Sequence, residues 1–220
     1  SSGIQEILHT IKVKFNNEYN NILEEIRNAP IKNADETSFR VDGLNGWCWL
    51  FATPSATFYT IEETRGKEVP TRILGHDPTG LLVRDDCPSY AALPMPQQSC
   101  CAHLLRVTHD LAVHENRSEE IQTLHKELKV MFDELNVINQ TPFVLSHREK
   151  AYREYAKSIA QVIARKYIYN DSKAIQTRIT NQNTNLINAL LHEKDRLTIH
   201  NSHSIWFVNK KEKKPQILIF

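Results

Sequence analysis

The feature that most constrains this chain is a change of texture near residue 115. Before it, aromatic and β-branched runs are punctuated by Asp42-Gly43, Asn45-Gly46 and Gly80. After it, strand signals vanish and apolar residues recur every three or four positions: Ile121, Leu124, Leu128, Met131, Leu135, Ile138. Period two belongs to strands and period 3.6 to helices, so one chain must hold a sheet-building half and an all-helical half. With 220 residues there is room for one domain with an insertion or for two small domains, and enough apolar material for a core.

The chain opens on Ile4, Ile7, Leu8, Ile11, Phe15, Tyr19, Ile22 and Ile26, an amphipathic leading helix over 1–30 that Asn28-Ala29-Pro30 stops. Phe39, Val41, Trp47, Trp49, Phe51, Phe58, Tyr59 and Ile61 predict three strands, with the two glycine dipeptides as tight turns. A short helix over 66–74 leads to Gly80-Leu81-Leu82-Val83-Arg84-Asp85, a brief apolar run ending in acid, read as a buried parallel strand with Asp85 at its carboxyl end. A helical turn over 89–93 and a β-like stretch over 98–102 follow. The order β-β-β-α-β-α-β makes the fold α/β, a mixed sheet with helices on it.

Within the helical half, Asn116 with Glu119 and Ser146 with Glu149 are spaced as helix-capping pairs. A third helix is expected to carry Ile175, Ile179, Leu186, Ile187 and Leu190. Its plain explanation is a bundle whose apolar stripe is core. The segments are therefore set at 1–30, 31–114, 115–190 and a C-terminal piece, 191–220. That last piece ends on Ile217-Leu218-Ile219-Phe220 after Lys210, Lys211, Lys213 and Lys214, a cluster that suits either phosphate contact or a solvated end.

Charge decides little: 27 Lys and Arg stand against 26 Asp and Glu, so any nucleic-acid contact must come from local patches. No apolar run approaches the roughly 20 residues of a membrane span, and the start lacks a signal-peptide layout, so a soluble cytoplasmic protein is expected. Cys48, Cys87, Cys100 and Cys101 fall on apparent strands or their ends without a C-x-x-C pair, which reads as buried reduced thiols.

Two carboxylates stand out by position, Asp35 ahead of the first strand run and Asp85 at the end of the Leu81–Val83 run. Strand-end carboxylates that meet can hold Mg²⁺ or Mn²⁺, hard ions that prefer oxygen ligands and retain waters. Two such ions clamp the attacking and leaving oxygens of an in-line phosphoryl displacement. Acids at element ends also serve as caps and turn formers, and their neighbours Glu36 and Asp86 take over as candidates if the strand register is off by one.

The ordered motifs carry a resemblance. Asp35-Glu36-Thr37, Val41-x-Gly43, Trp47-x-Trp49, Arg65-Gly66, Gly80-Leu81-Leu82-Val83-x-Asp85, Ser89-Tyr90 and Cys100-x-Ala102-His103-Leu104-x-Arg106 resemble the catalytic domain of the insertion-sequence 66 family of DDE transposases. The resemblance covers about residues 4–201. It implies an RNase H-like core with a large all-α insertion, cutting and joining DNA with three carboxylates and two divalent metals, Mg²⁺ or Mn²⁺. Asp35 and Asp85 would be the first two carboxylates, both catalytic and metal-binding. His103 and Arg106 match the motif on the strand that follows, near the DNA backbone or steadying the site, with a merely hydrogen-bonded core histidine as the alternative.

Two departures accompany it. Cys101 stands where the family motif has Trp. The closing family stretch, D-N-N-x-x-E-R, falls on residues 200–206, where His200 replaces the acid, Ile205 the glutamate and Trp206 the arginine, and Asn201 alone survives. An apolar side chain cannot ligate Mg²⁺, so activity is expected to be impaired, with Glu193 or Asp195 as possible substitutes. A reading-frame slip near Asn201 would account for the abrupt end. The alternative to an enzyme is an inactive transposase remnant that folds and binds DNA or transposase protomers. Expected partners are DNA, as transposon ends and target, and copies of the chain or intact transposase, at the nucleoid when DNA is bound. The family's N-terminal DNA-recognition and zinc-binding segments are not seen among these residues, which argues against independent recognition of transposon ends.

Overall fold

The computed structural model describes residues 2–41, 43–114, 118–192 and 216–219. They gather into two compact units, Ser1–Leu82 with Cys87–Met95 and Ile205–Phe220, and Val83–Asp86 with Pro96–Ser204. The fold is mixed α/β, with a mixed sheet and flanking helices.

In the first unit the leading helix comes in two pieces, α1 (Ser2–Lys14) and α2 (Asn16–Asn28), joined at Phe15. The expected stripe divides with them. Ile22 and Ile26 of α2 are buried, and Tyr19 meets Phe58 edge-on at 5.3 Å, whereas Ile4, Ile7, Leu8 and Ile11 of α1 are exposed. Three antiparallel strands follow, β1 (Ile31–Val41), β2 (Leu44–Ala52) and β3 (Ala56–Glu62). Gly43, at φ 81°, makes the β1–β2 turn, a backbone state that glycine adopts without steric cost. Asn45-Gly46, expected as a second turn, lies inside β2 instead, paired with Arg40 and Phe39. Helix α3 (Glu68–Leu74) then leads to β4 (Leu81–Arg84), whose first amide donates to Pro30 O at 2.9 Å beside the start of β1. The expected strand over 80–85 is thus present, shorter by one residue at each end.

The strand order in this unit is β4-β1-β2-β3-β6, where β6 (Gln216–Ile219) runs parallel to β3. Trp49, Phe51, Phe58, Ile73, Leu82 and Tyr90 form the core with Ile22 and Ile26. Arg27 ties α2 to α3 by donating to the carbonyls of Ile73 (2.8 Å) and Arg72 (3.1 Å), satisfying orphan groups at a helix end.

In the second unit the end of β4 pairs with the short strand β5 (Gln97–Ser99), and Cys100 N donates to Arg84 O at 2.7 Å. The β-like stretch expected over 98–102 therefore ends early, because Cys101 already begins helix α4 (Cys101–Val113). Three further helices follow, α5 (Glu119–Gln140), α6 (Leu145–Ala164) and α7 (Asn170–Gln182). Ile121, Leu124, Leu128, Met131 and Leu135 are buried as their spacing requires, and so are Ile159, Val162, Ile175 and Ile179.

The helix starts differ from expectation. Asn116 lies outside the described residues, and Ser118 caps α5 by accepting from Ile121 N at 3.3 Å. Ser146 sits within the first turn of α6, whose N-cap is Val144 without a side-chain bond. The third helix stops at Gln182. Asn183 takes φ 44°, which asparagine tolerates better than most residues, and Leu186 and Leu190 are buried in two 3-10 turns instead, with Ile187 buried between them. No helix among the described residues is long and apolar enough to cross a membrane. All four cysteines are free. Cys87, Cys100 and Cys101 are buried, while Cys48 on β2 is half-buried.

Candidate functional site

Strand β1 sorts its own side chains by parity. Lys32, Ala34 and Glu36 are buried on one face, while Asn33 and Asp35 are half-exposed on the other. Asp35 stands across from Leu50, and its Oδ1 accepts from Glu36 N at 2.9 Å. The two adjacent acids of the Asp35-Glu36-Thr37 motif thus face different surroundings.

Glu36 is the centre of a buried polar cluster. Its Oε1 accepts from Arg65 Nε at 2.9 Å, with a second contact from the same guanidinium, and its Oε2 accepts from the Tyr90 hydroxyl at 2.7 Å. The Glu36 side chain is fully enclosed, while the Arg65 side chain remains 41% exposed and covers the Trp47 ring at 4.8 Å. Tyr90 meets Trp49 edge-on at 5.8 Å, and Ser89 donates to Arg65 O. Burial pushes the Cys87 thiol up, and the adjacent Glu36 carboxylate adds to this, while bonds to Ser89 oppose it. Sequence reasoning placed Glu36 second to Asp35 and missed Arg65, Tyr90 and Cys87 as its partners. The signal was available in hindsight: Glu36, Trp47, Trp49, Arg65, Ser89 and Tyr90 are motif positions that a metal site alone leaves without a task.

In the second unit Asp85 is half-buried and is the first residue past the end of β4. Its carbonyl accepts from Arg84 Nη1 at 2.6 Å. Arg84, buried, also donates to Gln97 Oε1 at 2.9 Å and Gln182 Oε1 at 2.6 Å, which ties the strand end to β5 and the end of α7. Ser99 donates to the same Gln182 oxygen at 2.6 Å. Asp86 accepts from Arg178 Nε of α7 at 2.5 Å, so this fallback candidate is engaged in an ion pair.

His103 and Arg106 sit on helix α4, not on a strand, with His103 half-buried and Arg106 exposed. Burial alone would raise the Cys100 thiol, but the hydrogen bond and charge of His103, with backbone N–H groups of Ala102 and His103, bring it below its usual value. Cys101, where the family motif has Trp, is fully buried against Leu186 O at 3.4 Å. Burial, with Cys100 beside it, holds its thiol well above the ordinary range. The positions of Glu193, Asp195, His200 and Ile205 lie outside the described residues.

No curated protein and no solved structure matches the chain. A family model described as "Transposase IS66 family" matches residues 1–205, most of its length, and the chain therefore belongs to that family of transposases.

Proposed function

We propose that this chain is the catalytic domain of an insertion-sequence transposase, cleaving and joining DNA in mobile-element transposition, with Asp35 and Asp85 holding divalent cations. The observation that carries this reading is the parity of β1: Glu36 is buried and bonded to Arg65 and Tyr90, while Asp35, half-buried, lies on the opposite face. Asp85 is likewise half-buried at a strand end. Both carboxylates are hard oxygen donors, which suits Mg²⁺ or Mn²⁺.

Three antiparallel strands, a helix and a fourth strand laid beside the first are what an RNase H-like core requires. The helices α5 to α7 fit the family's all-α insertion. When bound, the ions would supply charge neutralisation at the phosphate and a clamp on attacking and leaving oxygens. The protein's own part is to hold the two carboxylates still. The Glu36–Arg65–Tyr90 cluster braces β1, and the Arg84 bonds to Gln97 and Gln182 brace the end of β4. His103 and Arg106 on α4 are assigned to the DNA backbone or to support of the site.

Ile205 stands at the aligned position of the third carboxylate, which favours a second reading: a remnant that folds and associates with DNA or transposase protomers but turns over poorly. The two readings part in one experiment. Labelled transposon-end duplex is incubated with Mn²⁺ and wild type, Asp35→Ala or Asp85→Ala protein. Nicking that either substitution abolishes supports the enzyme. Folded wild type that binds the duplex but never nicks it supports the remnant. DNA affinity should fall steeply with salt if phosphate contacts dominate.

A further inference from the structure

One turn beyond the motif residue Arg106, two imidazoles meet between α4 and α5. The rings of His109 and His125 have centroids 5.5 Å apart at an interplanar angle of 54°. His125 Nδ1 lies 2.8 Å from Thr108 Oγ1, and that hydroxyl donates its one hydrogen to Leu105 O at 3.0 Å. In the tautomer with its proton on Nδ1, His125 donates to that hydroxyl and presents the lone pair of Nε2. A ring nitrogen fixed in this way by a hydrogen bond from the other nitrogen is the arrangement of a metal-ligating histidine.

The spacing fits as well. A metal–nitrogen bond of about 2.0–2.1 Å puts the centroid of a bound imidazole roughly 3 Å from the ion, so two rings sharing a tetrahedral ion have centroids roughly 5 Å apart. We propose that His109 and His125 form a binding site for one borderline transition-metal ion, of the Zn²⁺ or Cu²⁺ class, that clips α4 to α5 and is completed by water. Imidazole suits these ions and not Mg²⁺, so the site is chemically distinct from a carboxylate centre.

The surroundings agree. Burial lowers the His125 pKa, and the adjacent His109 and Lys129 lower it further. Lys129 is paired with Asp133 at 2.5 Å. His109 is exposed, which leaves the ion an open approach from solvent. Thr108, by contrast, is buried and holds His125 in place.

The test is calorimetric titration of the full chain with ZnCl₂ and with CuCl₂, using MgCl₂ as a control, for wild type, His109→Gln, His125→Gln and Thr108→Val. The expected result is one site for Zn²⁺ or Cu²⁺, weakened at least tenfold by either glutamine and several-fold by the valine. Because His109 is exposed, His109→Gln should leave the circular dichroism spectrum unchanged, which separates loss of ligand from loss of fold. Nitrogen splitting in the Cu²⁺ electron paramagnetic resonance spectrum should diminish in both glutamine variants. Binding that is equal in wild type and folded His109→Gln assigns the ion elsewhere, for instance to the thiols, and overturns the proposal. Absence of any Zn²⁺ or Cu²⁺ site does the same.

Discussion

Removing the Glu36 carboxylate gives the sharpest test of how the first unit is held together. In Glu36→Ala the Tyr90 hydroxyl loses its 2.7 Å acceptor inside a residue with no exposed surface. An unsatisfied buried hydroxyl costs about 1–3 kcal/mol. Arg65 also loses its partner, but its side chain is 41% exposed and can turn to water, so its share is small, about 0–1 kcal/mol. The lost side-chain carbons add about 1 kcal/mol. The total is about 2–5 kcal/mol, against total stabilities of about 5–15 kcal/mol for ordinary domains. Glu36→Gln keeps an acceptor for Tyr90 and should cost about half as much.

The assay is urea unfolding followed by tryptophan emission in a Trp206→Phe background. Of the three tryptophans, this leaves Trp47 and Trp49, both on β2 in this unit. A cycle with Tyr90→Phe should return a coupling of about 0.5–3 kcal/mol with Glu36→Ala. An unfolding midpoint that Glu36→Ala leaves in place, with no coupling to Tyr90, would mean that the cluster does not brace β1.

Three further outcomes follow from separate observations. Gly80→Ala should destabilise by about 2 kcal/mol or more in the same urea assay, because a left-handed backbone disfavours a Cβ; here φ is 77° and the new atom would stand 2.5 Å from Pro30 O. Burial lowers the Lys32 pKa from its ordinary 10.5 to about 8, so the folded state sheds this proton first. Between about pH 8 and pH 10.5 the unfolded chain binds more protons, and stability should rise with pH in that window by an increment that Lys32→Met abolishes in paired pH-dependent melts. Arg148→Met should cost about 2–3 kcal/mol by loss of charged hydrogen bonds, since buried Arg148 donates to Asn139 Oδ1 at 2.6 Å and Thr141 O at 2.9 Å, and amide exchange should quicken first at the α5–α6 junction.

Period and turn chemistry carried most of the architecture. The stripe of α5 follows from residue spacing, and Leu81–Val83 reads as a buried strand from its composition and flanks. The strand signal from Phe39 onward missed the start of β1 at Ile31, so Asp35, expected ahead of the strand, lies within it, because the face buried there is Lys32, Ala34 and Glu36 and carries no apolar pattern. Boundaries were less legible where two local rules compete. Asn45-Gly46 has the composition of a tight turn, yet Asp42-Gly43 supplies the reversal and the long pairing of β1 with β2 absorbs the second dipeptide. Cys100 to Ala102 read as strand because Cys and its neighbours are apolar, but β5 is only three residues long and the chain turns helical as soon as the Cys100 amide is bonded to Arg84. The α1 stripe predicted burial from pattern alone, and pattern cannot say whether a partner surface exists in the same chain.

The candidate site was legible in part, for a reason that lies in strand geometry. Adjacent acids on a strand point to opposite faces, so Asp35-Glu36 cannot serve one site together. Sequence could name the pair but could not choose between them without knowing which face is core. The choice is decided by long-range partners, Arg65 at a separation of 29 residues and Tyr90 at 54, which no local window contains. With Glu36 bonded to those partners, the proposal gives the chemical role to Asp35. Substitutions at the two positions should therefore separate: Glu36→Gln mainly lowers stability, and Asp35→Asn mainly removes Mn²⁺-dependent nicking at unchanged stability. If instead Asp35→Asn melted the protein and Glu36→Gln alone abolished nicking, the assignment of faces on β1 would have to be exchanged.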